Sequence, residues 1–400
     1  MPPETENRAG GSNGSPGKIL IVAGEASGDL HGSSLVRAIH RLRPHIRFYG
    51  IGGRNLEDAG VEIVAHSSEM AVVGLTEVFA KLNFILGTFF SLKRSLREEK
   101  PDLVILIDYP DFNIPLARAA KKRGVKVFYY ISPQVWAWRK GRIRSIRKCV
   151  DHMAVIFPFE QAMYREAGVD ATFVGHPLLD SAKRKYSREE ALRAFGLEDH
   201  VTTVAILPGS REGEVTRLLP VMMGAAEILK EKFAPIQFVL PLADTLKPDL
   251  VEGIAKDFAV PVHIVRDSIY DVLGISDAAI VTSGTATVET ALMETPMVVI
   301  YKVSGFTYLV GRLLIDVDHI AMANIIAGKT TVPELIQNDA TPERIAKEIA
   351  QILTNDVKRA DMKQELKKVR EKMGEPGAAE RAAQLAIALL EKTEVEKMRS

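Results

Sequence analysis

Cysteine is almost absent from this 400-residue chain: Cys149 stands alone. That excludes an internal disulfide framework and any cysteine-built zinc site, and it fits a reducing compartment. Long apolar runs are missing as well. Nothing reaches the roughly 20 uninterrupted apolar residues of a membrane-spanning helix, so a soluble or peripheral protein is expected. No basic, apolar leader opens the chain, and residues 1–17, polar and rich in Gly and Pro, read as a flexible tail. Net charge is scarce too, at +1, which excludes a uniformly basic nucleic-acid binder. The small sum conceals a division: residues 1–150 carry 23 Lys and Arg against 14 Asp and Glu, a net +9, and the remainder carries 29 against 37, a net −8.

What is present is a protein of ordinary globular composition, 46% hydrophobic and 26% charged, long enough for two or three domains. Short apolar runs alternate with longer periodic segments, the pattern of strand-helix-strand units and a mostly parallel sheet. Residues 18–23, 103–107 and 126–131 read as buried strands of a first half. The pattern restarts at 203–207, 236–240, 262–265, 279–282 and 297–301. The class is α/β, with two doubly wound domains. Pro177 and the charged stretch after it put the boundary near residue 185, giving domains over 18–185 and 186–370, followed by a helical C-terminal segment over 371–400 that packs across domains or subunits. Ligands of such sheets bind beyond the carboxyl ends of the strands, so the loops after strands are where chemistry is sought.

The first of these loops, VAGEASGDLHGSSL (22–35), is a Gly-rich turn opening a helix, and it places Glu25, Ser27 and Asp29 at the mouth of a cleft. It matches neither a P-loop nor GxGxxG, so a nucleotide site and a plain tight turn are equally compatible with it. After the strand LVILI, the run DYPDFN sets Asp108 at a carboxyl end, where a general base is well placed, and Asp111 at a helix start, where capping accounts for it. SPQVWAWRKGRIRSIRK (132–148) joins Trp136 and Trp138 to six basic residues between Arg139 and Lys148. Such a run fits a solvated helix face, nucleic acid, or a phosphate at a membrane interface.

In the second half, LPGSREGEV (207–215) offers Ser210 and the fork of Arg211 to a phosphate. SGTATVETALMETP (283–296) supplies Ser283, Gly284 and Thr285 at a helix start suited to an anion, with Glu289 further along, better matched to a ribose diol or an ordinary helix surface. Asn324 is polar in an apolar setting. Residues 76–97 form a helix whose expected core stripe is Val78, Leu82, Ile85, Phe89, Leu92 and Leu96. Phe79, Phe84, Leu86 and Phe90 exceed what that stripe needs, flanked by Lys81, Lys93, Arg94 and Arg97. Either the helix is buried nearly all round or the surplus forms an interfacial lipid contact.

Taken in order, VAGEASGD, DYPDFN, ISPQVWAWR, VGHP, LPGSR and SGTATVE resemble the lipid-A-disaccharide synthases of Gram-negative bacteria, from about residue 18 to residue 390. The resemblance implies a glycosyltransferase B-type pair of Rossmann-like domains facing a cleft. It implies transfer of 2,3-diacylglucosamine from UDP-2,3-diacylglucosamine to the 6-hydroxyl of 2,3-diacylglucosamine 1-phosphate, with inversion to a β-1,6 disaccharide. Carried over by motif, Asp108 is the base, Arg211 with Ser210 and residues 283–285 meets the departing UDP, and Glu289 and Asn324 complete the nucleotide side. Glu25, Ser27, Asp29, Trp136 and Arg139 fall to the acceptor side, and Phe79, Leu86 and Phe90 to an anionic membrane surface. SGTATVE stands where SGTAALE-like runs are usual, and IIAG where LLAG is. No metal, cofactor or nucleic acid is expected, a homodimer and a monomer are both compatible, and the location implied is the cytoplasmic face of the inner membrane. The rival readings are a UDP-sugar epimerase of the same architecture, a nucleic-acid binder using residues 139–148, and a membrane-associated scaffold.

Overall fold

The computed structural model describes residues 17–70, 75–136, 141–303 and 319–399, with the side chains of 75–81, 394 and 396–399 excepted. The tail read over residues 1–17 thus lies, but for Gly17, outside the described residues. Seven strands form the first sheet: β1 (Lys18–Ala23), β2 (Arg47–Gly52), β3 (Val61–His66), β4 (Leu103–Ile107), β5 (Lys126–Tyr130), β6 (His152–Val155) and β7 (Ala171–Phe173). Their order is β3-β2-β1-β4-β5-β6-β7, and every pairing is parallel. The second sheet repeats the scheme with β8 (Thr202–Leu207), β9 (Ile236–Leu242), β10 (His263–Arg266), β11 (Ala278–Thr282), β12 (Met297–Tyr301) and β13 (Glu334–Ile336). Its order is β10-β9-β8-β11-β12-β13, again all parallel.

Each expected strand is present. The five that composition alone does not single out, β2, β3, β6, β7 and β13, are strands of three to six residues, either very short or interrupted by Gly, Glu or His. The central strands read most clearly because both faces are covered: Ile19 to Ala23, Leu103 to Leu106 and Val204 to Ile206 are all fully buried, so no polar residue interrupts them. In each sheet the order reverses beside its first strand. The loops after β1 and β4, and after β8 and β11, therefore part from one another and open a crevice.

The helices that bear on function are α1 (Ala26–Leu42), α2 (Leu75–Glu98), α3 (Pro110–Lys121), α4 (Arg142–Cys149), α5 (Pro158–Glu166), α6 (Glu212–Lys232), α7 (Ile269–Ile275), α8 (Thr285–Leu292), α9 (Met322–Ala327), α10 (Asp356–Lys372) and α11 (Ala378–Arg399). Helices α2 to α5 cover one face of the first sheet, where Leu92, Leu96, Leu116, Ile146 and Tyr164 are buried with Val104, Leu106 and Tyr129. The other face belongs to a larger cluster that passes through Val174 and Leu178 into the second domain. Cys149, the lone thiol, is buried at the end of α4 and pushed up to about 11 by that burial, which leaves it without thiolate character.

Two segments cross between the domains, and they touch. After β7 the chain runs through Gly175 and His176, where the His176 amide donates to the Met373 carbonyl at 3.0 Å, just past α10. The imidazole Nδ1 accepts from the Leu178 amide at 3.2 Å, and burial holds the ring neutral, its pKa lowered to about 3. The returning segment then delivers α11 to the first sheet. There Arg381 donates to the Val174 carbonyl at 2.8 Å, Arg41 meets Glu380 at 2.6 Å, and Arg43 pairs with Glu391. Gly175 has a φ of +83°, and a Cβ there would sit 3.0 Å from the Glu375 carbonyl oxygen. Gly175→Ala should therefore cost about 1–2 kcal/mol from the left-handed backbone alone. A urea midpoint lowered at unchanged slope is the expected result, and an unchanged midpoint would show that the crossing yields freely.

Candidate active site

The first crevice is built around an unusual turn. Asp108 and Tyr109, directly after β4, both adopt left-handed backbone conformations, with φ of 43° and 46°. Two consecutive non-glycine residues in that region are strained, and they persist only where the surroundings over-determine them. Here the surroundings are explicit. Asn113, fully buried in α3, donates through Nδ2 to the carbonyls of Ile107 at 3.1 Å and Asp108 at 2.8 Å. The Tyr129 hydroxyl donates to the same Asp108 carbonyl, and the Asp108 amide reaches the Ile131 carbonyl at 3.2 Å. Gly24 is needed opposite, since a Cβ there would lie 2.3 Å from the Tyr109 ring. The turn thus brings the β1 loop and the β4 loop together, and burial, with the nearby Glu25 carboxylate as a second cause, pushes Asp108 up to about 7.

The other expectations in this half divide. Glu25 and Ser27 are exposed at the start of α1, and Trp136 is half-buried. Asp29 is not available to a ligand: only 4% exposed, it accepts from the amides of Gly53 at 2.6 Å, Asn55 at 3.0 Å and Leu56 at 3.1 Å, and from Asn55 Nδ2 at 2.8 Å. It ties α1 to Gly53 and the short helix Arg54–Asp58 after β2, and its carboxylate is spent on that structural role. Asp111 does not cap its helix; Tyr109 holds that position, and Asp111 pairs with Arg142 of α4. Arg139 lies outside the described residues, as does the side chain of Phe79. On α2, Leu92 and Leu96 are buried as expected, but Leu82 is 39% exposed and joins Phe84, Leu86 at 44% and Phe90 at 60% on an outer face, with Lys93 over the Phe90 ring.

In the second domain a cavity of about 280 Å³ lies beyond β8, β9 and β10, lined by Gly209, Ser210, Asp244, Asp267, Ile269 and Glu289 among others. Glu289, one turn into α8, accepts from the Tyr270 hydroxyl of α7 at 3.1 Å, and burial pushes its carboxyl up to about 7. Arg211, at the start of α6, is largely exposed and paired with Glu214 at 3.2 Å. Such a surface pair is weak enough to exchange for a phosphate. The Ser210 carbonyl accepts from Thr245 Oγ1 at 2.5 Å.

Ser283 and Asn324 differ from expectation. The Ser283 amide donates to the Ile300 carbonyl at 2.9 Å and its hydroxyl to the Ile320 carbonyl at 3.0 Å, which leaves the exposed Gly284 and Thr285 to present amides at the helix start. Asn324, fully buried in α9, donates to the Val332 carbonyl at 2.9 Å and to Glu334 at 2.7 Å, and accepts from the Thr331 and Val332 amides at 2.7 and 2.9 Å. Its side-chain amide is fully used in closing the loop before β13, a scaffolding role. Among the described residues no hydrogen bond or ion pair joins Asp108 to Arg211 or Glu289.

Sequence reasoning passed over three groups that the fold brings to these loops. Asn113 and Tyr129 hold the Asp108 turn, Tyr270 holds Glu289, and Glu160 of α5, fully buried, accepts from Ser132 at 2.9 Å and from the Trp136 indole at 3.2 Å. Asn113 lies inside the DYPDFN run, so the motif itself carried that signal. Tyr270 and Glu160 come from segments with no motif and gain their roles from topology. Replacing Asp29 by Ala strands three backbone donors, and a loss of about 3 kcal/mol is expected. Calorimetric melting would measure it, and a variant as stable as the parent would return Asp29 to the ligand.

A family model described as lipid-A-disaccharide synthetase matches residues 19–389. The lipid-A-disaccharide synthase of Syntrophus aciditrophicus is 60% identical over 377 residues, covering 94% of this chain and 98% of that protein. That of Geobacter metallireducens is 52% identical over 376 residues, with the same coverage. Among solved structures, a UDP-N-acetylglucosamine 2-epimerase of Listeria monocytogenes superposes with a TM-score of 0.60 at 15% identity, covering 96% of this chain and 97% of that one. The glycotransferase of kitacinnamycin gives 0.61 at 15% identity, covering 94% and 99%. Both structures share the fold, and the epimerase is related at that level only.

Proposed function

The chain belongs to the lipid-A-disaccharide synthetase family, and from that premise we propose how its two crevices divide one glycosyl transfer. The reaction is the displacement of UDP from UDP-2,3-diacylglucosamine by the 6-hydroxyl of 2,3-diacylglucosamine 1-phosphate. The observation that carries the assignment of roles is the Asp108 turn, a half-buried carboxyl on a strained, over-determined backbone beyond the central strand. Asp108 takes the proton of the acceptor hydroxyl as its oxygen attacks the anomeric carbon, and the bond from that carbon to the diphosphate breaks on the opposite face. A pKa near the operating pH balances the fraction of free carboxylate against its basicity.

The leaving diphosphate is met by Arg211 and by the amides of Gly284 and Thr285, which place fixed positive charge where negative charge develops. Glu289, oriented by Tyr270, accepts from the ribose hydroxyls. Glu25, Ser27 and Trp136 line the acceptor side. Among the described residues no hydrogen bond or ion pair joins Asp108 to Arg211 or Glu289, and in this reading the donor itself spans the two loop sets.

Purified protein given both lipid sugars should release UDP and form the disaccharide. Asp108→Asn should reduce turnover by several orders of magnitude while UDP still binds. In the unaltered chain the rate should rise with pH, because only ionised Asp108 accepts a proton. The value of kcat/KM climbs through about pH 7 and then levels. Near-normal turnover in Asp108→Asn would remove the base assignment.

Among the described residues no helix is long and apolar enough to cross a membrane. The exposed Leu82, Phe84, Leu86 and Phe90, set beside Lys93, Arg94 and Arg97 of α2, suit the interfacial zone of an anionic bilayer, with apolar rings in the acyl boundary and cations at the headgroups. This face would carry the chain to lipid substrates on the cytoplasmic side of the inner membrane. Phe90→Glu should weaken sedimentation with vesicles containing anionic lipid and leave UDP affinity unchanged; equal binding by both proteins would exclude this face.

A further inference from the structure

Glu160 is the most buried carboxyl group near the first crevice, and the mechanism above does not use it. It is fully enclosed, and burial pushes it up to about 7 against the pull of its donors. Those donors are specific. Oε1 accepts from the Ser132 hydroxyl at 2.9 Å and from the Trp136 indole at 3.2 Å, and Oε2 accepts from the Phe157 amide at 3.2 Å. Ser132 is itself in contact with the Tyr164 hydroxyl at 3.1 Å. A helix cap alone would need only the Phe157 bond; the other two reach forward into the loop after β5.

That loop is held at its other end by the catalytic turn. Ile131, the residue before Ser132, accepts from the Asp108 amide at 3.2 Å and has a φ of 62°, a costly conformation for a β-branched side chain. One short path therefore runs from the Asp108 backbone through Ile131 and Ser132 to Glu160, and from Glu160 to the Trp136 ring, whose edge packs on Phe159 with centroids 5.3 Å apart. We infer that Glu160 is a positioning residue for the acceptor, fixing the Trp136 ring relative to the Asp108 turn from beneath the loop. This rests on the placement of the acceptor beside Trp136.

The chain has two tryptophans, so its indole N–H spectrum has two signals, and W136F identifies the one of interest. In E160Q that signal should move, because an amide replaces the carboxylate acceptor. Acceptor affinity, measured by calorimetry with 2,3-diacylglucosamine 1-phosphate in detergent, should fall about tenfold, as a neutral amide oxygen holds the indole less strongly than a carboxylate. Donor affinity should stay within about twofold. In a W136F background the E160Q effect should shrink to about twofold or less, since both changes act on one contact. S132A serves the same cycle if E160Q fails to fold. An unmoved indole signal, additive effects of E160Q and W136F, or an equal loss of donor affinity would each overturn the inference. Wild-type protein that binds acceptor but forms no disaccharide would defeat the transfer reading instead.

Discussion

Everything functional in this chain depends on one constraint of parallel sheets: a strand laid down first and then flanked on both sides must send its connections in opposite directions. In the first sheet β1 is paired with β2 and β4, and in the second β8 is paired with β9 and β11. Where the connections part, backbone is left without a covering helix, and the chain fills each gap with its least ordinary local structure. On one side this is the left-handed pair Asp108 and Tyr109; on the other it is the loop from Gly209 to Arg211 beside the Gly284–Thr285 helix start. A crevice of this kind follows from strand order, while what fills it is a matter of individual side chains.

Those side chains fall into two kinds. Some have their hydrogen-bonding capacity spent within the protein: Asp29 on the segment after β2, Asn324 on the loop before β13, Asn113 on the carbonyls under Asp108. Others keep theirs. Arg211 is paired at the surface with the half-buried Glu214, Glu289 accepts from the Tyr270 hydroxyl, and the Asp108 carboxyl is raised by burial instead of being neutralised by a cation. Polar residues of the first kind give the crevices a fixed shape, so that the second kind need not reorganise when charge develops.

This division also marks how far the sequence could be read. The α/β class, the central strands and the loops that carry Asp108, Arg211 and Glu289 were legible, because continuous apolar runs followed by Gly, Pro and Asp leave few alternatives. Flanking strands such as β3 and β13 were not, since a strand buried on fewer sides tolerates the Glu and His that disguise it. The scaffolding bonds of Asp29 and Asn324 were hidden for a related reason. A polar residue in a motif looks the same whether it serves a ligand or a neighbouring loop, and only the count of donors around it separates the two. The outer face of α2 shows the same limit: its apolar positions were visible, but the register that exposes Leu82 with Phe90 depends on what the helix packs against.

The return of α11 to the first sheet has a consequence for synthesis. Residues 378–390 cover the face of β5 and β6, although those strands leave the ribosome more than 200 residues earlier. During that interval Phe128, Tyr130 and Ala154 have no final cover on that side, and the contacts that complete the sheet are among the most distant in the chain. The domain that is translated first is therefore finished last. A chain cut short before Ala378 would leave its amino-terminal domain unsealed, so the last helix acts as a completion check on the whole polypeptide.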